Sequence, residues 1–416
     1  MNPDPITTPH SNMTIDEQVA YLMQGTEYGD EELKQAMATE LRQRLLDAEK
    51  NHRPLRVYCG FDPRTSNLHL GHTVPLRKLR QFQELGHDVT MVVGNYTSLI
   101  GDPSDKDKLR PRLTNEEVEH NARTYADQAY HILDRTRTQI RYNAEWLSEL
   151  PFVKLIELAS NFTLQQFINR ENFRLRWDKG DPIYLHETFY AIMQGYDAHM
   201  LRADVQVGGT DQLFNIVTAA RKLMTFLGGQ PNIAIILDIL PGTDGEVKMS
   251  KSLGNHISIL TGAEDMYGKV MSVPDKAMPQ FFRLITRWTP AQVAEIEAEI
   301  ASGALHPRDA KMRLAREIVT IFHDAQAAEQ AEEQFKRVFQ QGNLPEDMPE
   351  MALTPGQSVL DVLLAAGLAA SKSEARRLLE QNGVRLDGET LTDPAQPFPH
   401  PGVLQAGKRR FVRVRA

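Results

Sequence analysis

The chain has 416 residues, 41% of them hydrophobic and 25% charged, with a net charge of −8, the profile of a globular protein of about three domains. A single cysteine excludes a disulfide scaffold, and apolar runs such as 233–240 are far too short to span a membrane. The N-terminal segment carries acids and prolines without a cationic start, so no signal or transit peptide is expected and the chain reads as cytoplasmic.

Residues 1 to about 13 read as disordered, and 15–50 as a charged helical extension. Leu55 to Gly60 is a short β-rich run, Phe61 to Leu68 a polar connection, and Gly71 to Leu85 a helix. Within that helix Val74, Leu79, Phe82 and Leu85 recur at helical spacing, Pro75 falls in the first turn where its missing N–H costs little, and Gly86 suits the C-terminal cap. A second apolar run, Val89 to Gly94, follows. This order predicts the opening βαβ unit of a parallel, doubly wound (Rossmann-like) α/β sheet, whose ligands bind beyond the carboxyl ends of the strands.

His69-Leu70-Gly71-His72 falls at the start of the crossover helix, where unpaired N–H groups and the helix dipole favour a phosphate. Two imidazoles one turn apart can donate to an oxyanion, and such donors accelerate a reaction most when the charge appears only in the transition state. The same spacing suits metal ligation, but no Glu separates the histidines and one cysteine cannot form a thiolate cluster, so no protein-bound metal is expected.

A helical insertion is expected near 115–200, and the nucleotide-binding domain as a whole over 51–245. Inside it, Tyr190, Gln194 and Asp197 lie at i, i+4 and i+7, so their polar groups share one helix face, which needs either solvent or a ligand. Gly208 and Gly209 precede Asp211 and Gln212, a glycine pair followed by a carboxylate and an amide that also suits a ligand site. The Gly-rich stretch Pro241 to Gly245 then leads into Lys248-Met249-Ser250-Lys251-Ser252, read as a mobile cationic loop. Alone, a Lys-Ser segment near glycines is usually only solvated. Paired with the histidine motif, it points to chemistry on the α-phosphate of ATP, with the loop neutralising a departing pyrophosphate.

Residues 246–340 carry this loop and then helices, including 288–300 and 307–322, and 341–356, rich in Pro, Glu and Met, reads as a linker. The remainder, 357–416, is a small α+β module: Ser371 and Glu374 fit a capping box opening a helix through Leu379, Gly383 fits its C-terminal cap, and Val384 to Leu386 and Phe411 to Val414 read as strands around an Asp387-Gly388 turn. From residue 371 onward nine Lys or Arg face five Asp or Glu, a balance of +4 that leaves −12 on the first 370 residues. A charge run is usually only a solvated face. Here the basic residues gather in one module, which suits phosphate contacts.

The two motifs resemble those of class I aminoacyl-tRNA synthetases, and nearly the whole chain is similar to bacterial tyrosyl-tRNA synthetases. The matching stretches are Tyr58 to Pro63, Ile100 to Ser104, Asn143-Ala144-Glu145-Trp146, Tyr190 to Asp197 and Gly208 to Gln212. The tail resembles an S4-type RNA-binding domain. Departures from the family pattern are Arg64, Asp105 and the Leu213-Phe214 pair.

The resemblance implies tyrosine activation by ATP, with Mg²⁺ accompanying the nucleotide, then transfer to tRNA(Tyr), in a homodimer whose contacts involve the insertion. It implies that His69, His72, Lys248 and Lys251 stabilise the reacting phosphates. Cys59, Gly60, Gly209 and Asp211 would meet the nucleotide, Gln212 would orient the reacting carboxylate or the α-phosphate, Tyr58 and Asp197 would meet the tyrosine phenol, Asp102, Tyr190 and Gln194 its ammonium group, and Asn143 would also bind tyrosine. Asp62 suits either the triphosphate with its metal or the turn before Pro63. Cys59 reads as packing rather than chemistry, since the tyrosine carboxylate is already a nucleophile. Arg376, Arg377, Arg385, Lys408, Arg409, Arg410 and Arg413 are the expected tRNA contacts, with Arg308 and Lys311 from the preceding helical region.

Three rival readings stay open on sequence. Tryptophanyl-tRNA synthetases share the fold and both motifs, but Asp197 with Tyr58 fits a phenol better than an indole. A small-molecule nucleotidyltransferase would need neither the lysine loop in this form nor an RNA module. A non-catalytic RNA-binding protein on the same scaffold would have lost site residues.

Overall fold

The computed structural model describes residues 12–63, 67–103, 114–339, 348–354, 356–407 and 410–415. The expectation for residues 1–11, the departures at Arg64 and Asp105, and the proposed contacts Lys408 and Arg409 lie outside the described residues. The chain divides into two units, Met1–Ala328 and Glu329–Ala416.

The first unit is built on a five-stranded parallel sheet: β1 (Arg56–Phe61), β2 (Asp88–Val93), β3 (Thr138–Tyr142), β4 (Val205–Gly209) and β5 (Ile233–Leu237), in the order β3-β2-β1-β4-β5. The order reverses between β1 and β4, so a crevice is expected at their carboxyl ends. The doubly wound α/β expectation is met. One detail differs: β3 lies inside the stretch expected to be a helical insertion. Its polar, intermediate-burial sequence Thr-Gln-Ile-Arg-Tyr lacks the apolar run that marked β1 and β2, because it is an edge strand with one neighbour.

Helices α1 (Ile15–Met23) and α2 (Glu31–Lys50) form the N-terminal extension. Thr14 and Asp30 cap them, each accepting backbone N–H groups of the first turn. Apolar side chains of both, Tyr21, Leu22, Leu41 and Leu45 among them, are buried, so the segment is part of the core. Between the helices, Glu27 N–H donates to Ile236 O and Asp238 N–H to Gly25 O, and Thr26 bridges Leu237 antiparallel.

The crossover helix α3 (Leu70–Glu84) spans nearly the residues read from sequence, with Gly86, at φ +91°, just past its end; Pro75 is its sixth residue, in the second turn rather than the first, where the missing N–H forgoes one helical hydrogen bond. Further along come α4 (Asn115–Ala129), α5 (Ala144–Leu147), α6 (Phe152–Ala159), α7 (Leu164–Ile168), α8 (Glu171–Lys179) and α9 (Leu185–Met200). After β4 follow a 3-10 turn (Thr210–Gln212), a π-helical stretch (Phe214–Ala220) and α10 (Arg221–Phe226). Beyond β5 and the lysine loop lie α11 (Ala263–Met271), α12 (Met278–Ile285), α13 (Pro290–Ser302), α14 (Pro307–Phe322) and α15 (Ala325–Phe339).

The second unit holds α16 (Val359–Ala365) and α17 (Lys372–Glu380) beside a sheet of order β6-β10-β9-β7-β8: β6 (Glu350–Ala352), β7 (Val384–Leu386), β8 (Glu389–Thr390), β9 (Gly402–Ala406) and β10 (Arg410–Arg415). Val359, Leu363, Leu379, Val384, Leu404 and Val412 form its core. Two expectations are corrected here. The stretch 341–356 is not linker throughout, because Glu350–Ala352 pairs in parallel with β10. The left-handed residue after α17 is Asn382, at φ +54°, rather than Gly383, whose N–H closes the helix end on Leu378 O.

Candidate active site

The histidine motif is shaped by local packing at the start of α3. His69 is the residue before the helix, and its backbone N–H donates to Nδ1 of His72 at 3.2 Å. That bond leaves the ring proton of neutral His72 on Nε2, available as a donor. The two rings lie 3.8 Å apart, and Gly71 permits this: a Cβ there would meet His69 Cε1 at 3.0 Å and Nδ1 at 3.1 Å. His69 is 6% exposed, and its Nδ1 has no hydrogen-bond partner. Burial, with the neighbouring imidazoles and the loop lysines adding repulsion, pushes the His69 pKa down to about 2. Burial and the lysines push His72 down to about 4. Both are therefore neutral donors at physiological pH.

The lysine loop is fastened beside them. Met249, 2% exposed, packs its Cβ toward Gly71 and donates its N–H to Leu240 O. Asn255 accepts the Ser250 N–H at 2.8 Å and bonds Asp244 through its amide nitrogen, so one buried amide holds both arms of the loop. Lys248 pairs with Asp211 at 3.3 Å, linking the loop to the turn after β4. The segment expected to be mobile is thus docked in this state. Residues 257–259 run antiparallel to 68–70, with Leu70 N–H donating to Ile257 O and Ile259 N–H to Leu68 O.

Deeper in the crevice, two hydrogen-bonded chains converge on α9. In the first, Tyr190 Oη donates to Asp62 Oδ2 at 3.1 Å, and Thr97 Oγ1 donates to Asp62 Oδ1 at 3.0 Å. Asn143 Nδ2 reaches both Thr97 Oγ1 at 3.1 Å and Asp197 Oδ2 at 3.3 Å, and the indole N–H of Trp146 donates to Asp197 Oδ1 at 2.7 Å. Gly94 makes room for the Asp62–Thr97 contact, since a Cβ would fall 2.2 Å from Asp62 Oδ1. In the second, Tyr58 Oη donates to the Gln194 carbonyl at 3.4 Å, Asn215 Nδ2 bonds Gln194 Oε1 and Gln212 Oε1 at 3.0 Å each, and Gln212 donates to Asp102 at 2.6 Å.

Asp197 is 4% exposed. Burial pushes its carboxyl up to about 7, against the Trp146 and Asn143 bonds that pull it down. Burial likewise holds the Tyr58 and Tyr190 phenols well above their usual range and keeps the Cys59 thiol protonated, as a packing role for Cys59 requires. Gly60 is exposed at the end of β1, and a Cβ there would meet nothing within 4 Å, leaving open space over the crevice.

The structure therefore brings together Tyr58, Asp62, Asp102, Asn143, Tyr190, Gln194, Asp197 and Gln212 in two connected networks, and His69, His72, Lys248 and Lys251 at the rim. Thr97, Asn215 and His256 were not picked out from sequence, and Trp146 was quoted without a role. Asn215 sits one turn past Gln212 at the start of the π-helical stretch, a geometry frequent at functional sites. His256 follows the lysine loop directly, the one sequence signal that could have found it. Lys311 is 9% exposed and its ammonium pairs with Asp275. Arg308 is exposed on α14 beside Asp309, and Arg376, Arg377, Arg385, Arg410 and Arg413 are exposed in the second unit.

The model of the class I tRNA synthetases (W and Y) matches residues 50–340, and that of the S4 domain matches residues 360–400. A tyrosine–tRNA ligase of Moorella thermoacetica is 47% identical over 90% of this chain and 91% of its own length. The chain belongs to the tyrosyl-tRNA synthetases of class I. Another tyrosine–tRNA ligase, of Thermotoga maritima, is 44% identical over 89% of this chain and 92% of its own. Solved tyrosyl-tRNA synthetases share the fold: that of Archaeoglobus fulgidus, complexed with L-tyrosine, has a TM-score of 0.57 at 22% identity over 77% of this chain and all of its own. A truncated mitochondrial one from Aspergillus nidulans reaches 0.61 at 21% identity, over 79% of this chain and 95% of its own. Family membership removes the nucleotidyltransferase rival, and the tyrosine-specific relatives remove the tryptophanyl one.

Proposed function

We propose that this chain, an enzyme of the tyrosine–tRNA ligase family, joins L-tyrosine to ATP as tyrosyl-adenylate with release of pyrophosphate, then passes the tyrosyl group to the 3′-terminal adenosine of tRNA(Tyr). The observation that carries the reading is the buried Asp197 carboxylate, held by Trp146 and Asn143 at the end of a polar crevice beside Tyr58. A buried acceptor positioned this way favours a phenol hydroxyl, since phenylalanine would bring no donor to the carboxylate lone pairs that Trp146 and Asn143 leave open. Tyrosyl-tRNA synthetases are themselves the measured case of such rejection, at about 10⁵-fold against phenylalanine.

In this reading Asp102, Tyr190 and Gln194 face the ammonium group and Gln212 orients the reacting carboxylate. Cys59, Gly60, Gly209 and Asp211 line the nucleotide side, and Asp62 is held within the first network by Tyr190 and Thr97. The tyrosine carboxylate attacks the α-phosphorus in line while neutral His69 and His72 donate to the phosphate oxygens and Lys248 and Lys251 take up the charge on the leaving pyrophosphate. For Lys248 this requires exchanging Asp211 for phosphate, so loop rearrangement accompanies ATP binding. The α-phosphate is an electrophile already, and no covalent enzyme intermediate is needed. Mg²⁺ is proposed to arrive on the ATP phosphates, screening their charge, because the rim offers neutral imidazoles and ammonium groups rather than an oxygen cage.

Exposed apolar side chains of the insertion, Phe152 at 76%, Val153, Ile156, Leu164 and Leu185, support a homodimer through this region. A cytoplasmic location belongs to the same proposal. No helix among the described residues is long and apolar enough to cross a membrane. The exposed arginines of the second unit support tRNA contact. Tyrosine-dependent exchange of labelled pyrophosphate into ATP, run beside phenylalanine and tryptophan, tests the activation step. Exchange with tyrosine alone, lost in Asp197→Ala while Asp197→Asn melts no lower than wild type, is the expected result. Exchange equally supported by phenylalanine would overturn the phenol reading.

A further inference from the structure

A third imidazole stands beside the histidine pair. His256 lies in the segment after the lysine loop, and its ring centroid is 6.0 Å from that of His69. Unlike the lysines, it sits next to backbone fixed to the start of α3 by the Leu70–Ile257 and Ile259–Leu68 hydrogen bonds. On its other side, Asn255 is buried and clasps the loop through Ser250. His256 is thus held at the hinge between a fixed strand and a docked cationic loop.

Two imidazole nitrogens at this point, Nδ1 of His69 and Nδ1 of His256, are shielded from solvent and have no hydrogen-bond partner in the protein. Buried polar atoms are nearly always satisfied, and unsatisfied ones gathered at a site mark a missing partner. Lys251 acts on both imidazoles, with Lys248 beside it at His69 and Lys269 at His256; these charges are cationic, so the missing partner is an anion. The His69 ring lies 3.8 Å from that of His72 and 6.0 Å from that of His256, so the three imidazoles form one cluster.

We propose that His256 is a further binding residue for the known reaction, donating a hydrogen bond to the β,γ-phosphates of ATP during activation and to pyrophosphate in the reverse direction. The inference rests on the reading of the rim as the triphosphate site. It assigns His256 a role distinct from the loop lysines: a neutral donor held by fixed backbone that keeps contact with the polyphosphate as the loop moves.

The bland alternative is that the His256 ring merely buttresses His69. Three variants separate the two: His256→Ala, His256→Phe, which keeps a ring without a donor, and His256→Asn, which keeps a donor without the ring. Pyrophosphate exchange is measured for each at varied ATP, pyrophosphate and tyrosine, with melting temperature alongside. The expected result is a KM for ATP and for pyrophosphate raised about tenfold in His256→Ala and His256→Phe, partly restored in His256→Asn, with the KM for tyrosine unmoved. A wild-type KM in His256→Phe, no change in any variant, or equal rises for tyrosine and ATP would each overturn it. Lys251→Ala serves as the reference. If its KM for pyrophosphate also stays at the wild-type value, the triphosphate reading of the rim fails, whereas a rise there with none in the His256 variants sinks the His256 assignment alone.

Discussion

The indole N–H of Trp146 points at Asp197 Oδ1 from 2.7 Å, so a tryptophan on α5 fixes one carboxylate oxygen on α9. This bond and the one from Asn143 oppose burial, which by itself favours the protonated acid. Trp146→Phe removes the donor while keeping an aromatic ring. Its KM for tyrosine is expected to rise about tenfold or more, with the KM for ATP nearly unchanged, in steady-state exchange kinetics.

Asp197 also sets a pH dependence. Its folded pKa of about 7 lies above the unfolded carboxylate value, so the folded state binds the extra proton between about pH 4 and 7. The stability it contributes is full below the unfolded pKa and is lost as pH rises through 7. Asp197→Asn is therefore expected to raise the melting temperature relative to wild type at pH 8, and the difference should vanish near pH 4. Tyrosine affinity should run the other way, tightening as pH rises from 6 to 8 and the carboxylate forms.

The histidine pair has the opposite sign. The folded pKa values, about 2 for His69 and about 4 for His72, lie below the unfolded imidazole value of about 6.5. Stability from these groups is present above pH 6.5 and is lost as pH falls toward 4. The double variant His69→Gln/His72→Gln should flatten the loss of melting temperature between pH 6.5 and 4.5. Its exchange rate at pH 7.5 is expected to fall about 10²-fold or more, as for loss of transition-state donors.

Gly71→Ala should separate activity from stability. In a helix, alanine is favoured over glycine by about 1 kcal/mol. Here the added methyl displaces the His69 ring and crowds Met249 of the lysine loop, whose Cβ would lie 3.4 Å away. The expected outcome is a midpoint of urea unfolding near or above wild type with kcat for exchange reduced at least tenfold. An unchanged kcat would mean that the close approach of loop and histidine plays no part in catalysis.

Behind the site, Arg77 on α3 is buried and bonds Glu84 at 2.9 Å, the Tyr21 hydroxyl at 3.1 Å and Thr286 O at 3.1 Å. Arg77→Met leaves the Glu84 carboxylate with one flanking arginine, Arg80, and should cost about 3 kcal/mol or more in urea unfolding. The double variant Arg77→Met/Glu84→Leu is expected to recover part of that loss, because both charges then leave the interior together.

Sequence made the β1-α3-β2 unit legible because its apolar periods are strong and Gly86 closes the helix. It missed β3, whose Thr138 to Tyr142 lies at a sheet edge and needs no apolar alternation. It also read Glu350–Ala352 as linker, since a three-residue strand is defined by its pairing with β10 rather than by its own residues. At the site, motifs located the ends of both networks but not their connectors. Thr97 and Asn215 work by joining carboxylates and amides from separate strands and helices, and no local pattern encodes such a junction. Lys311 shows the converse: its charge was legible, but its burial against Asp275 was not.

The N-terminal residues Gly25 to Glu27 lie along β5, the outer strand of the sheet on that side. Every side chain of Ile233–Leu237 is apolar and buried, a composition that would invite another chain to pair along its unmet backbone. The antiparallel bridge from Thr26 to Leu237 thus works as a built-in guard against aggregation. A chain trimmed to begin after α2 would keep the proposed site residues but uncover this strand together with the core that α1 and α2 bury.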